Sequence, residues 1–111
     1  MKLPNKQQAI VEVSKITDYL LNDAHELGKH KATFFKAFGF EDQKASIFQE
    51  ALEKHAQNQP VDKHEPSVFG DKYVLKCHID TPDKRDPCIY TVWIVDSGQD
   101  LPRLITAYPV D

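Results

Sequence analysis

The sequence predicts an α+β fold, with about three N-terminal helices packed on a C-terminal antiparallel β-meander of three to four strands. Apolar residues recur at helical spacing through the first half of the chain. From about residue 71 they alternate with polar residues, as in half-buried strands. Between the halves lies QNQPVDKHEPS (57–67), a polar stretch with Pro60 and Pro66 that reads as a divider. At 111 residues the chain suits a single domain over 1–111, large enough to bury a core without staples.

Each element has its own warrant. QAIVEV (8–13) fits either a short strand or a helix start. Ser14 fits an N-cap for the next segment, in which Ile16, Leu20 and Leu21 supply the apolar face and Asn22 the end. Gly28 then breaks the chain before a helix from about Lys29 to Phe38. Lys31, Phe34, Phe35 and Phe38 fall at i, i+3, i+4 and i+7, which places them on one face. Gly39 suits the left-handed position that closes a helix. Asp42 is the expected N-cap of a third helix buried along Ala45, Phe48, Leu52 and Ala56.

In DKYVLKCHID (71–80), Tyr73, Leu75, Cys77 and Ile79 point one way, and Val74, Lys76 and His78 the other. CIYTVWIVD (88–96), rich in β-branched and aromatic residues, is expected to be a central strand. RLITAYPV (103–110) closes the meander, with Leu104, Thr106 and Tyr108 on one face. Helices are expected to cover one side of the sheet and leave the other partly open.

Composition narrows the function classes. No apolar run approaches the roughly 18 residues needed to span a bilayer, and MKLPNKQQAIVEV is too polar for a signal peptide. The cytoplasm is the expected compartment. Cys77 and Cys88, on neighbouring strands, are then expected as reduced thiols. Neither CxxC nor HExxH occurs, so no metal or other cofactor is expected. The net charge of −3 argues against broad binding to nucleic acid, DNA included, yet leaves room for a local basic site. HELGKHKATFFKAFGF (25–40) is such a place, with Lys29, His30 and Lys31 at the start of an aromatic helix and Lys36 further along it.

Several residues here carry chemistry. Lys31 extends the aromatic stripe toward the helix start, where backbone amides attract anions. It either completes a phosphate site or snorkels at the core edge. His25 has the pKa range of a general acid or base, or is a plain surface histidine. Lys29 and His30 leave the stripe and bind an anion or are simply solvated. Thr106 and Tyr108 offer hydroxyls on the open sheet face. Arg103 is expected to contact phosphate or finish a strand. Trp93 suits base stacking or the core, and the core is favoured.

LPN (3–5), YLLN (19–22), HELGKHKATFF (25–35), GF (39–40), TVWIVD (91–96) and PRLITAYP (102–109) together resemble domain of unknown function family 6883 over nearly the whole chain. That family is similar to small bacterial domains found alone or at the ends of toxin-like proteins. More distantly, helices followed by a meander ending in T-x-Y-P resemble the barnase, EndoU, colicin and RelE-like ribonucleases. That resemblance implies RNA cleavage without a metal, with His25 as base or acid, Lys29 and Lys31 as phosphate clamp, and Thr106 with Tyr108 as strand-borne partners. The expectation is a metal-independent endoribonuclease acting as the toxin of a bacterial toxin–antitoxin pair. RNA would be its substrate and a small antitoxin protein its partner. The rival expectation is a non-catalytic module that binds a protein on the open sheet face.

Overall fold

The computed structural model describes residues 1–110; Asp111, the last residue of the expected domain, lies outside them. After a 3-10 turn at Lys6–Gln8, helix α1 (Val13–Lys15) widens directly into a π-helical turn over Ile16–Leu20. The Leu21 amide donates to the Ile16 carbonyl, five residues back, at 2.8 Å. The wider turn brings Ile16, Leu20 and Leu21 to one side, and all three are buried. Glu12, not Ser14, holds the N-cap position, and Ser14 is exposed inside the helical segment.

Helix α2 spans Lys29–Ala37, and Gly39 follows at φ +104°, as expected for a left-handed closure. Its buried side is rotated from the expected stripe. Ala32 and Phe35 are fully buried, whereas Lys31, Phe34 and Phe38 are half-buried at the flank. Phe35 packs 4.8 Å from Phe48, centroid to centroid, and Phe40 stacks on Phe48 at 4.3 Å. This aromatic cluster fixes α2 against helix α3 (Ala45–Asn58). Asp42 caps nothing. It opens a 3-10 turn (Asp42–Lys44) ahead of α3, and its carboxylate pairs with Lys36 at 3.1 Å.

The divider expected at 57–67 is not a loop. Helix α3 runs to Asn58, and β1 occupies Val61–Ser67. An edge strand exposed along most of its length carries polar residues, and it tolerates Pro66 because one side needs no ladder bonds. With β2 (Gly70–His78), β3 (Cys88–Asp96) and β4 (Arg103–Pro109) it forms an antiparallel sheet in the order β1-β2-β3-β4.

The core side of the sheet presents Tyr73, Leu75, Ile89, Thr91, Trp93, Leu104 and Ala107, all buried. His55 of α3 joins them. Its Nε2–H donates to the Cys77 carbonyl at 2.8 Å, and its Nδ1 accepts from the Thr91 hydroxyl at 2.9 Å. The Trp93 indole N–H in turn donates to Thr91 Oγ1 at 2.8 Å. Every polar atom of this buried chain is paired, which is what makes its burial tolerable. Cys77 and Cys88 are free thiols. They are not cross-strand partners, since Cys77 lies opposite Ile89 and Cys88 opposite His78.

Strand β4 departs from simple alternation. Val92 pairs with Thr106 but Trp93 pairs with Leu104, so Ile105 is the extra residue of a β-bulge. Leu104 therefore joins the core, while Thr106 and Tyr108 fall on the opposite face. That face carries a row of Lys76, Tyr90 and Tyr108 beside a row of Val74, Val92 and Thr106. Ile10 covers the start of the β4 edge, exchanging backbone bonds with Pro102 at 2.8 Å and Leu104 at 2.9 Å. No helix among the described residues is long and apolar enough to cross a membrane.

Candidate active site

Tyr19, in the π-helical turn, is where the expected residues meet. Its hydroxyl shares a 3.1 Å hydrogen bond with Thr106 Oγ1. The His25 ring lies edge-on, with centroids 5.0 Å apart. The ammonium groups of Lys31 and Lys15 sit 5.2 Å and 5.6 Å from the Tyr19 ring centre. Partial burial opposes ionisation of the phenol. The side chains of Lys31 and Thr106 and the charges of Lys31 and Lys15 outweigh it, so the Tyr19 pKa falls below its ordinary value of 10.0. A half-buried tyrosine whose phenolate is favoured in this way has the chemistry to give up or take a proton.

Gly28 makes this convergence sterically feasible. A Cβ there would meet the Tyr19 carbonyl oxygen at 2.3 Å and the ring at 2.9 Å. Glycine is thus required for close approach between the start of α2 and the π turn, not for an unusual backbone angle, since its φ is −95°.

His25 closes the turn into α2. Its Nδ1 accepts from the Leu27 and Gly28 amides, both at 3.0 Å, and its carbonyl accepts from the Lys29 amide at 2.9 Å. Three successive amides, of Leu27, Gly28 and Lys29, thereby have their acceptors in His25. An Nδ1 that accepts carries no proton. The neutral ring then holds its hydrogen on Nε2, which suits donation to a ligand rather than proton abstraction.

A shallow groove of about 620 Å³ runs past these groups, lined among others by Lys15, Tyr19, His25, Arg103 and Thr106. Glu12 and Asp18 also line it, so its charge is mixed. A second hollow of about 370 Å³ adjoins it across Leu27, and is lined by Leu27, His30, Lys31, Tyr90, Tyr108 and Pro109. Lys31 belongs to both places, lining the hollow while its ammonium reaches Tyr19.

His25, Lys31 and Thr106 are thus brought together around Tyr19, with His30 and Tyr108 in the adjoining hollow. The remaining expected residues stand apart. Lys29 is exposed and lines neither cavity. Arg103 faces the first groove, but its guanidinium is bidentate on Asp96, at 2.8 and 3.1 Å, which compensates its charge. Trp93 as a base-stacking residue is overturned. It is fully buried on the core side of β3 and its indole N–H is spent on Thr91.

Residues 2–111 match the family described as Domain of unknown function (DUF6883). The chain belongs to this family. No curated protein matches it. Among solved structures, a chain from the contact-dependent growth inhibition toxin–immunity protein complex of Klebsiella pneumoniae 342 superposes with a TM-score of 0.74. The two are 18% identical, and the superposition covers 96% of this chain and 97% of that one. At that identity the likeness establishes a common fold for the DUF6883 chain.

Tyr19 and Lys15 are the site residues that sequence reasoning missed. Lys15 and Tyr19 are four apart on a helical segment, a spacing that already makes them neighbours. Tyr90 lies directly opposite Tyr108 and was equally absent from the expectation.

Proposed function

We propose that this DUF6883 domain is a metal-independent endoribonuclease, working as the toxin of a toxin–antitoxin pair. The observation that carries the reading is Tyr19, whose phenolate is favoured by Lys31, Thr106 and Lys15 at the floor of an open groove. The shared fold with a chain of a growth inhibition toxin–immunity complex supports the same reading. A small antitoxin protein that covers the groove would be its partner, and the cytoplasm its place of action.

The chemistry uses these side chains and solvent. The ribose 2′-oxygen attacks the adjacent phosphorus and gives up its proton to solvent. The bond from phosphorus to the 5′-oxygen breaks, and Tyr19 donates its proton to that leaving oxygen. The tyrosinate left behind is held by Lys31, Lys15 and Thr106 and regains a proton from solvent. His25 Nε2–H and the Lys31 ammonium donate to the phosphate oxygens as negative charge builds. The products are a 2′,3′-cyclic phosphate and a 5′-hydroxyl.

The test is RNA cleavage in the presence of EDTA. Wild type should cut, and Tyr19→Phe and Lys31→Ala should each be slower by about 10²-fold or more. His25→Ala should be impaired, in part because the turn into α2 loses its acceptor. Equal rates in all four proteins would sink the assignment. Inhibition of the wild type by EDTA would remove the metal-independent mechanism.

A further inference from the structure

We propose that the hollow beside Lys31 is a nucleobase subsite, which seats one unpaired base of the strand whose phosphate enters the groove at Tyr19. This rests on the ribonuclease reading and adds a substrate determinant to it. The lining has the chemistry of a nucleotide pocket. Tyr108 and Tyr90 supply half-exposed aromatic walls, with centroids 5.2 Å apart and planes 39° apart, so neither ring caps the other face to face. The Lys76 ammonium lies 5.6 Å over the Tyr90 ring, which leaves Tyr108 as the ring for a stacked base. Leu27, which is 74% exposed, and Pro109 add apolar edges. His30 and Lys31 supply donors, and none of the described residues that line the hollow carries a carboxylate.

Size and position fit one base. About 370 Å³ lies at the small end of ligand pockets. A duplex keeps its bases stacked on each other and offers no free face to Tyr108, so the subsite selects single-stranded or splayed RNA. Because Lys31 lines the hollow and also reaches Tyr19, a base held there keeps its own phosphate close to the proton-transfer group. Base recognition and chemistry thus share one lysine.

The test uses the Tyr19→Phe chain, so that RNA is bound without being cut. Its affinity is measured for a short single-stranded oligoribonucleotide and for an abasic ribose-phosphate chain of equal length. Adding Tyr108→Leu should weaken binding of the base-bearing strand by about tenfold and leave the abasic chain unchanged. Adding Tyr108→Phe should restore the base-bearing affinity. If Tyr108→Leu leaves binding unchanged while the wild type still cleaves RNA, the subsite is wrong and the ribonuclease reading survives. Equal weakening toward both strands would also overturn it, because the contact would not be with a base. If the wild type neither binds nor cuts RNA, the ribonuclease reading fails and takes the subsite with it.

Discussion

The Tyr19 hydroxyl and Thr106 Oγ1 lie 3.1 Å apart, and this bond joins the π-helical turn to strand β4 across 87 residues of sequence. Two local irregularities put the atoms there. The π turn aims the tyrosine, and the bulge at Ile105 turns Thr106 away from the core. Such irregularities often mark functional sites, because each re-aims a side chain that regular structure would bury or expose elsewhere.

Replacing Thr106 by Val keeps the shape and removes the hydrogen-bond partner. That bond helps to lower the Tyr19 pKa, so its loss should move the value upward, toward 10.0. Ultraviolet titration of tyrosinate, taken as the difference from Tyr19→Phe, should show the change. The alkaline limb of the cleavage profile should move the same way, because the protonated phenol is the active form. A pH profile identical to wild type would detach Thr106 from the chemistry.

Gly28→Ala should damage stability and site together. The new Cβ would lie 2.3 Å from the Tyr19 carbonyl oxygen, a contact that backbone must move to relieve. Overpacking of this kind costs about 1–3 kcal/mol. Urea titration should register the loss, and cleavage should fall further than stability alone explains, because the Tyr19 ring shifts.

Helix α3 and the inner strands were legible because their buried faces follow simple periods. Phe48, Leu52 and His55 share one side of α3, so even the burial of His55 could be read from spacing. The site was less legible because both of its anchors break period. A π turn and a β-bulge each insert one residue of phase, and Thr106 therefore faces away from Leu104 although two positions separate them. Strand β1 was hidden for a different reason. It pairs on one side only and is exposed along most of its length, so it carries the polar composition and proline of a loop.

Trp93 offers a test of the core assignment. It is the single tryptophan of the chain and is fully buried. Its fluorescence should be that of an apolar environment and should not change when RNA is added. Quenching by RNA would place the ring at the substrate after all. Trp93→Phe leaves the Thr91 hydroxyl without its donor and opens space in the core, and should cost about 1–3 kcal/mol in chemical denaturation.

The buried histidine makes the fold sensitive to acid. Burial, opposed by backbone hydrogen bonds to Cys77 and Ile89, lowers the His55 pKa from 6.5 to about 4. In the unfolded chain it titrates at its ordinary value. Above 6.5 both states hold a neutral ring and the pH has no leverage through this group. As the pH falls from 6.5 toward 4 the unfolded state takes up a proton that the native state refuses, so stability declines by about 3 kcal/mol across that window. Below about 4 both states are protonated and the loss levels off. His55→Gln should be less stable at neutral pH, because the chain from the Cys77 carbonyl to Thr91 and Trp93 is disturbed. It should also lose much of the slope between pH 4 and 6.5. A variant that keeps the full slope would show that another group carries the acid transition.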